Sequence, residues 1–126
     1  MSTLRIEIFP DDLSATIGFY RDLLGFEVTK DERDAEAPYV SFRFGDVRVG
    51  AAERPPCAIS PRRPPTGVEL VLEVDDLIGL YDRVRRAGWP IDEYLVARPW
   101  GLEDFRLLDP SGYYWRVTST SGEGPL

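Results

Sequence analysis

Carboxylates on apolar strands are the residues here whose type and spacing could do chemistry. The stretch "VELVLEVDDL", residues 68–77, alternates like a buried strand, yet Glu69 and Glu73 share the face opposite Val68, Leu70, Leu72 and Val74. On the first apolar stretch, Arg5, Glu7 and Phe9 oppose Leu4, Ile6 and Ile8 in the same way. Carboxylates gathered in a cleft can hold a hard cation through oxygen, act as a base when burial raises their pKa, or attract a cationic group. The plainer reading of both strands is the solvated side of a sheet. The chain contains no His at all, which removes the commonest metal ligand and the commonest general base. A Ser-His-Asp or Cys-His arrangement is therefore impossible within it. Cys57 is the lone cysteine; it cannot form an internal disulfide and has no His to activate it.

The elements that must position these residues recur. "IEIFPDDLSATIGFYRDLLGFEV" (6–28) and "LVLEVDDLIGLYDRVRRAGWPI" (70–91) each give an alternating strand, Asp-Asp-Leu, an amphipathic helix, a Gly and a new strand. Asp11 or Asp12 caps the first helix, Leu13, Ile17, Tyr20 and Leu24 form its apolar stripe, and Gly25 ends it. Asp75 or Asp76, then Leu77, Leu80, Tyr81 and Val84, then Gly88, repeat the logic. "YVSFRF" and "VRVGAA" flank a hairpin turn at Gly45-Asp46, and "DFRLL" and "YYWRVTS" flank "DPSG". The prediction is an α+β fold of two βαβββ modules, residues 1–52 and 67–120. A Pro-rich linker at 53–66 joins them within one domain of 1–126, and 121–126 is a tail.

Length fits one domain, and 43% hydrophobic residues allow a true core. A net charge of −7 argues against nucleic acid as a partner. Without a basic-apolar leader or a transmembrane-length run, no membrane association is expected and a cytoplasmic location is.

The chain resembles the vicinal oxygen chelate superfamily, which includes glyoxalase I, extradiol dioxygenases, and fosfomycin and bleomycin resistance proteins. The resemblance spans roughly residues 4–119. "DDLSATIGFYRDLLGFEV" and "LEVDDL" carry it, and above all "RPWGLEDFRLLDPSGYYWRV", which is similar to the C-terminal strands of the glyoxalase/bleomycin-resistance branch. It implies paired βαβββ modules whose strands curl around a cavity, and a homodimer. Carried over by position, the family's metal-ligand sites fall on Arg5, Glu69 and Arg116, where His, His and Glu are usual. Arginine stays protonated and cannot take a metal, so neither metal nor cofactor is expected. Glu69 is instead expected to sit between Arg5 and Arg116 as an ion-pair cluster, and Arg116→Ala to matter more than Arg106→Ala.

If the polar faces line the cavity, Arg5, Glu7, Phe9, Glu69, Glu73, Tyr114 and Arg116 project into it, with Trp100 in "RPWG" beside them. Trp115 points the other way, into the core. Each aromatic taken singly is as well explained by core packing. Together they suit a flat ligand by stacking, and the carboxylates suit a cationic one. The function implied is a metal-free binding protein that sequesters a bleomycin-type or DNA-intercalating antibiotic, with no catalytic residue. The alternative is a glyoxalase-like lyase, isomerase or dioxygenase with an atypical or absent metal site.

Overall fold

The two Asp-Asp-Leu segments open helices in the computed structural model, which describes residues 2–54, 63–99 and 101–120. In each, the second Asp is the cap. Asp12 accepts from the Ala15 amide and Asp76 from the Gly79 amide, both at 3.0 Å. The first Asp of each pair ties down the chain beyond a neighbouring strand. Asp11 pairs with Arg54 at 2.8 Å, and Asp75 accepts from the Thr120 hydroxyl at 2.9 Å. One motif thus fixes a helix start and a strand end at once.

The chain divides into two units, Met1–Pro64 and Pro65–Leu126. The first contains β1 (Ile6–Ile8), α1 (Leu13–Ile17) with a π-helical continuation (Gly18–Leu23), β2 (Glu27–Glu32), β3 (Tyr39–Phe44) and β4 (Val47–Ala52). The second contains β5 (Leu70–Val74), α2 (Leu77–Arg86), β6 (Glu93–Ala97), β7 (Glu103–Leu108) and β8 (Tyr114–Ser119). Each is a βαβββ module with a four-stranded mixed sheet, in the orders β1-β4-β3-β2 and β5-β8-β7-β6. β1 runs parallel to β4 and β5 to β8; the other neighbours are antiparallel. The expected α+β class agrees with this. Residues 55–62 of the Pro-rich linker, with Cys57, and the tail 121–126 lie outside the described residues.

The apolar stripes become the cores. Leu13, Ile17, Tyr20 and Leu24 are buried, and Tyr20 packs on Phe26 and Phe42 with ring centroids 5.6 and 5.3 Å apart. Each such ring contact adds about 0.5–1.5 kcal/mol beyond burial. The single α-helix expected over this stretch differs in its second half. From Gly18 the winding loosens, the Leu24 amide bonds the Phe19 carbonyl, and adjacent Phe19 and Tyr20 are both buried. Gly25 follows with φ 89°, where any side chain would be strained. In the second unit Leu77, Leu80 and Val84 pack with Leu72, Phe105, Leu107, Trp115 and Val117. Trp115 is core, as the alternation predicts. Tyr81 is only half-buried, resting on Phe105 at 5.0 Å. Among the described residues no helix is long and apolar enough to cross a membrane.

Candidate functional site

In each unit the core occupies one sheet face, and the residues flagged by alternation occupy the other. In the second unit, Arg106 on β7 lies directly opposite Arg116 on β8, and Asp104 opposite Thr118. Two guanidiniums facing each other across a ladder repel. Carboxylates resolve this. Glu69, just ahead of β5, accepts from Arg106 Nε at 2.6 Å, and its other oxygen lies 3.3 Å from Arg116 Nε. Asp104, with only 1% of its side chain exposed, pairs with Arg98 at 2.9 Å and sits 3.9 and 4.0 Å from Arg106 and Arg116. Glu93 on β6 receives both Arg98 and Arg106 at 2.9 Å. The Arg98 hydrogen bond is the main influence holding the Glu93 carboxyl below its ordinary range, with Arg106 adding to it. Arg106 is itself held more firmly protonated, chiefly by Glu69.

Within the second unit Glu69 thus lies between two arginines, Arg106 and Arg116. Arg116 Nε is buried without a hydrogen bond: the 3.3 Å approach to Glu69 is an ion pair poorly aligned for one. The expected ranking of Arg116 above Arg106 is accordingly reversed. Arg106 is the less exposed, 14% against 26%, and holds the shorter contacts. Tyr114, on the same face, donates its hydroxyl to Asp92 at 2.7 Å. Loss of water, then that hydrogen bond, push its pKa up to about 12. Glu73 is exposed, opposite Thr118 in register. Trp89 donates its indole N–H to the Leu108 carbonyl at 2.9 Å.

In the first unit, Arg5 pairs with Glu7 at 3.3 Å, and the Tyr39 hydroxyl donates to the same carboxylate at 3.0 Å. Burial and this bond raise the Tyr39 pKa. Gly50 lies opposite Glu7 on one side and Ser41 on the other. A Cβ there would collide with the Glu7 carboxylate and the Tyr39 hydroxyl. The absent side chain is what lets the two meet. Phe9 is half-buried and Phe42 is core. A cavity of about 450 Å³ opens on this sheet over Tyr39 and Ser41, rimmed by Arg5, Arg43 and Arg48. Trp100 lies outside the described residues.

Register explains the asymmetry between the modules. Arg116 pairs with Val71 and Arg106, whereas Gly50 pairs with Glu7 and Ser41. The position filled by Arg116 in one sheet is therefore Gly50 in the other, and Arg106 corresponds to Ser41. The donor set does not suit a divalent cation. Glu69 is engaged by two guanidiniums, Arg5 stands at the equivalent place in the first sheet, and the described residues contain no group of three or more carboxylate or cysteine side chains arranged to hold a metal. The alternation in the sequence does not single out Arg106, Glu93 or Arg98 as site residues. The available signal was the short turn at "DPSG", which fixes the β7–β8 register and so sets Arg106 opposite Arg116.

Paired βαβββ modules of this order, with polar sheet faces opposite the helices, define a glyoxalase-like fold. Residues 3–117 match the Glyoxalase/Bleomycin resistance protein/Dioxygenase superfamily, and the chain belongs to it. Among solved structures it is similar to TioX from Micromonospora sp. ML1, with TM-score 0.77 and 21% identity over 94% of this chain and 98% of that one. UcmS2 gives 0.75 and 21% over 95% and 98%. Lactoylglutathione lyase from Agrobacterium tumefaciens gives 0.69 and 20% over 94% and 92%. At these identities the likeness is one of fold. No curated protein matches the sequence.

Proposed function

We propose that the protein is a metal-independent binding protein that sequesters a small aromatic natural product, a bleomycin-type or DNA-intercalating antibiotic, and so confers resistance. The observation that carries this reading is Glu69. Of the family's ligand positions it alone holds an oxygen donor, and Arg106 and Arg116 already engage it. The arginines also occupy both Glu69 oxygens, which leaves neither free to act as a base. What remains is a polar sheet face in each unit, with the half-buried rings of Phe9 and Tyr39 in the first and Tyr114 beside the guanidiniums and carboxylates in the second. Trp100 belongs with them on the sequence evidence. A cytoplasmic homodimer is the expected form, checked by light scattering.

Thermal-shift titration without added metal tests this, against bleomycins, quinoline and quinoxaline peptides, and lactoylglutathione-type substrates. A binder at about one hundred times its dissociation constant adds about 2.7 kcal/mol of stability. A saturable shift with an antibiotic recovered unchanged supports sequestration. Turnover of any of these compounds, restored by metal after chelation, would sink it in favour of a lyase or dioxygenase.

A further inference from the structure

The cavity on the first sheet has a charge at odds with the chain. The protein has 22 acidic and 15 basic residues, yet Arg5, Lys30, Arg43 and Arg48 line this cavity and no carboxylate does. Arg43 and Arg48 lie directly opposite each other on β3 and β4. Such a like-charge pair is unfavourable unless something neutralises it. The chain neutralises Arg106 and Arg116 with Glu69, Asp104 and Glu93. Arg43 and Arg48 make no ion pair within 4 Å among the described residues, although Glu27 lies opposite Arg43 on β2. Arg43 Nε donates to the Gly45 carbonyl at 2.9 Å and Arg48 Nη2 to the Thr3 hydroxyl at 3.1 Å. Asp46, in the intervening turn, pairs with neither.

The remaining lining donates as well. β2 is bulged, so that Val28 opposes Phe42 and Lys30 already opposes Ser41, which brings Thr29 and Lys30 to one point of the ladder. The Thr29 and Ser41 hydroxyls lie 2.8 Å apart. Beside Ser41, over Gly50, stand the Tyr39 hydroxyl and the Glu7 carboxylate that it and Arg5 engage. We propose that this pocket binds an anionic group, a carboxylate, sulfate or phosphate, of a small organic ligand, with Arg43 and Arg48 as its principal partners. Guanidiniums favour such oxyanions through paired N–H donors. A volume of about 450 Å³ fits a small molecule. This narrows the ligand class of the preceding section to one bearing an acid group, and rests on that reading only for the aromatic part.

The test begins with citrate, followed by amide chemical shifts of the full chain. Saturable shifts centred on Thr29, Ser41, Arg43 and Arg48 are expected, weakened at least tenfold in the Arg43→Gln/Arg48→Gln variant and unaltered in Arg86→Gln. Removing the facing charges should help the double variant fold, and either single variant serves as a second measurement. Equal shifts with chloride at matched ionic strength, or undiminished citrate binding in the double variant, overturn the site. The second arm compares quinoline-2-carboxylate with quinoline-2-carboxamide. Preference for the acid, lost in the double variant, joins the two readings. Equal affinity with no effect of the variant refutes the anion site while leaving aromatic binding intact. Citrate binding with no response to either ring, or to the antibiotics, keeps the anion site and removes the aromatic reading.

Discussion

Replacing Arg106 with Met, which keeps most of the aliphatic stem, isolates the charge network of the second sheet. Arg106 loses its 2.6 Å contact with Glu69 and its 2.9 Å contact with Glu93. Breaking a fully buried pair costs about 3–5 kcal/mol, and a fully exposed one about 0–1. With 14% of Arg106 and 28% of Glu69 exposed, the loss lies nearer the buried limit. Relief of the repulsion from Arg116 offsets part of it, leaving about 2 kcal/mol. Arg116→Met relieves the same repulsion but removes only a misaligned 3.3 Å contact and one at 4.0 Å, so its net cost is within about 0.5 kcal/mol. For a chain of this size about 2 kcal/mol lowers Tm by roughly 6–10 °C. Calorimetry and urea denaturation at pH 7 measure the difference, and 1 M salt should narrow it. If Arg116→Met costs as much as Arg106→Met, or neither costs anything, the network does not hold the sheet as described.

Tyr114→Phe should change the alkaline limb of stability. An unfolded tyrosine loses its proton near pH 10, whereas Tyr114 holds its proton up to about pH 12. The stability Tyr114 contributes is therefore complete below pH 10 and drains away as pH rises through 12. The gap between wild type and variant, followed by circular dichroism, should close over that window. Gly50→Ala should fold but break the Tyr39–Glu7 bond, at a cost of about 1 kcal/mol, and bring the Tyr39 titration back toward its ordinary value in ultraviolet difference spectra. Asp12→Ala should cost about 1 kcal/mol as a lost cap, more than Asp11→Ala, whose partner Arg54 it meets at the surface; equal melting temperatures would contradict the assignment. Dialysis against a chelator should leave Tm unchanged, and a fall reversed by a divalent ion would contradict the reading of Glu69.

Much of the architecture was legible. Asp-Asp-Leu, the 3.6-residue stripes and the two hairpin turns each carry a local physical cause, and each appears in place. Alternation placed Trp115 inside and Arg116 on the opposite face. It could not say what stands beside Arg116 on the next strand, because that depends on register between segments. That Arg106 meets Glu69 beside Arg116 is a fact of that kind. The bulge between Val28 and Lys30 is another, since one extra residue re-aims a side chain with no mark in the hydrophobic pattern. The loosened winding after Gly18 answers to the demand to bury Phe19 beside Tyr20, a tertiary condition absent from local propensity.

The contrast between Gly50 and Arg116 bears on how each module can change over time. In the second sheet, losing Arg106 leaves Glu69 and Glu93 each short of a partner, and losing Glu69 leaves two opposed cations. Substitutions at those two positions pass through a less stable intermediate, and escape requires compensating pairs. Around Gly50 the dependences are exposed and weaker, the Thr29–Ser41 hydroxyl contact and the Lys30–Glu32 pair among them, so Ser41, Thr29 and Lys30 are open to one-step replacement at small cost. A lineage adapting to new ligands would accumulate its variation on the first sheet and hold the second nearly fixed.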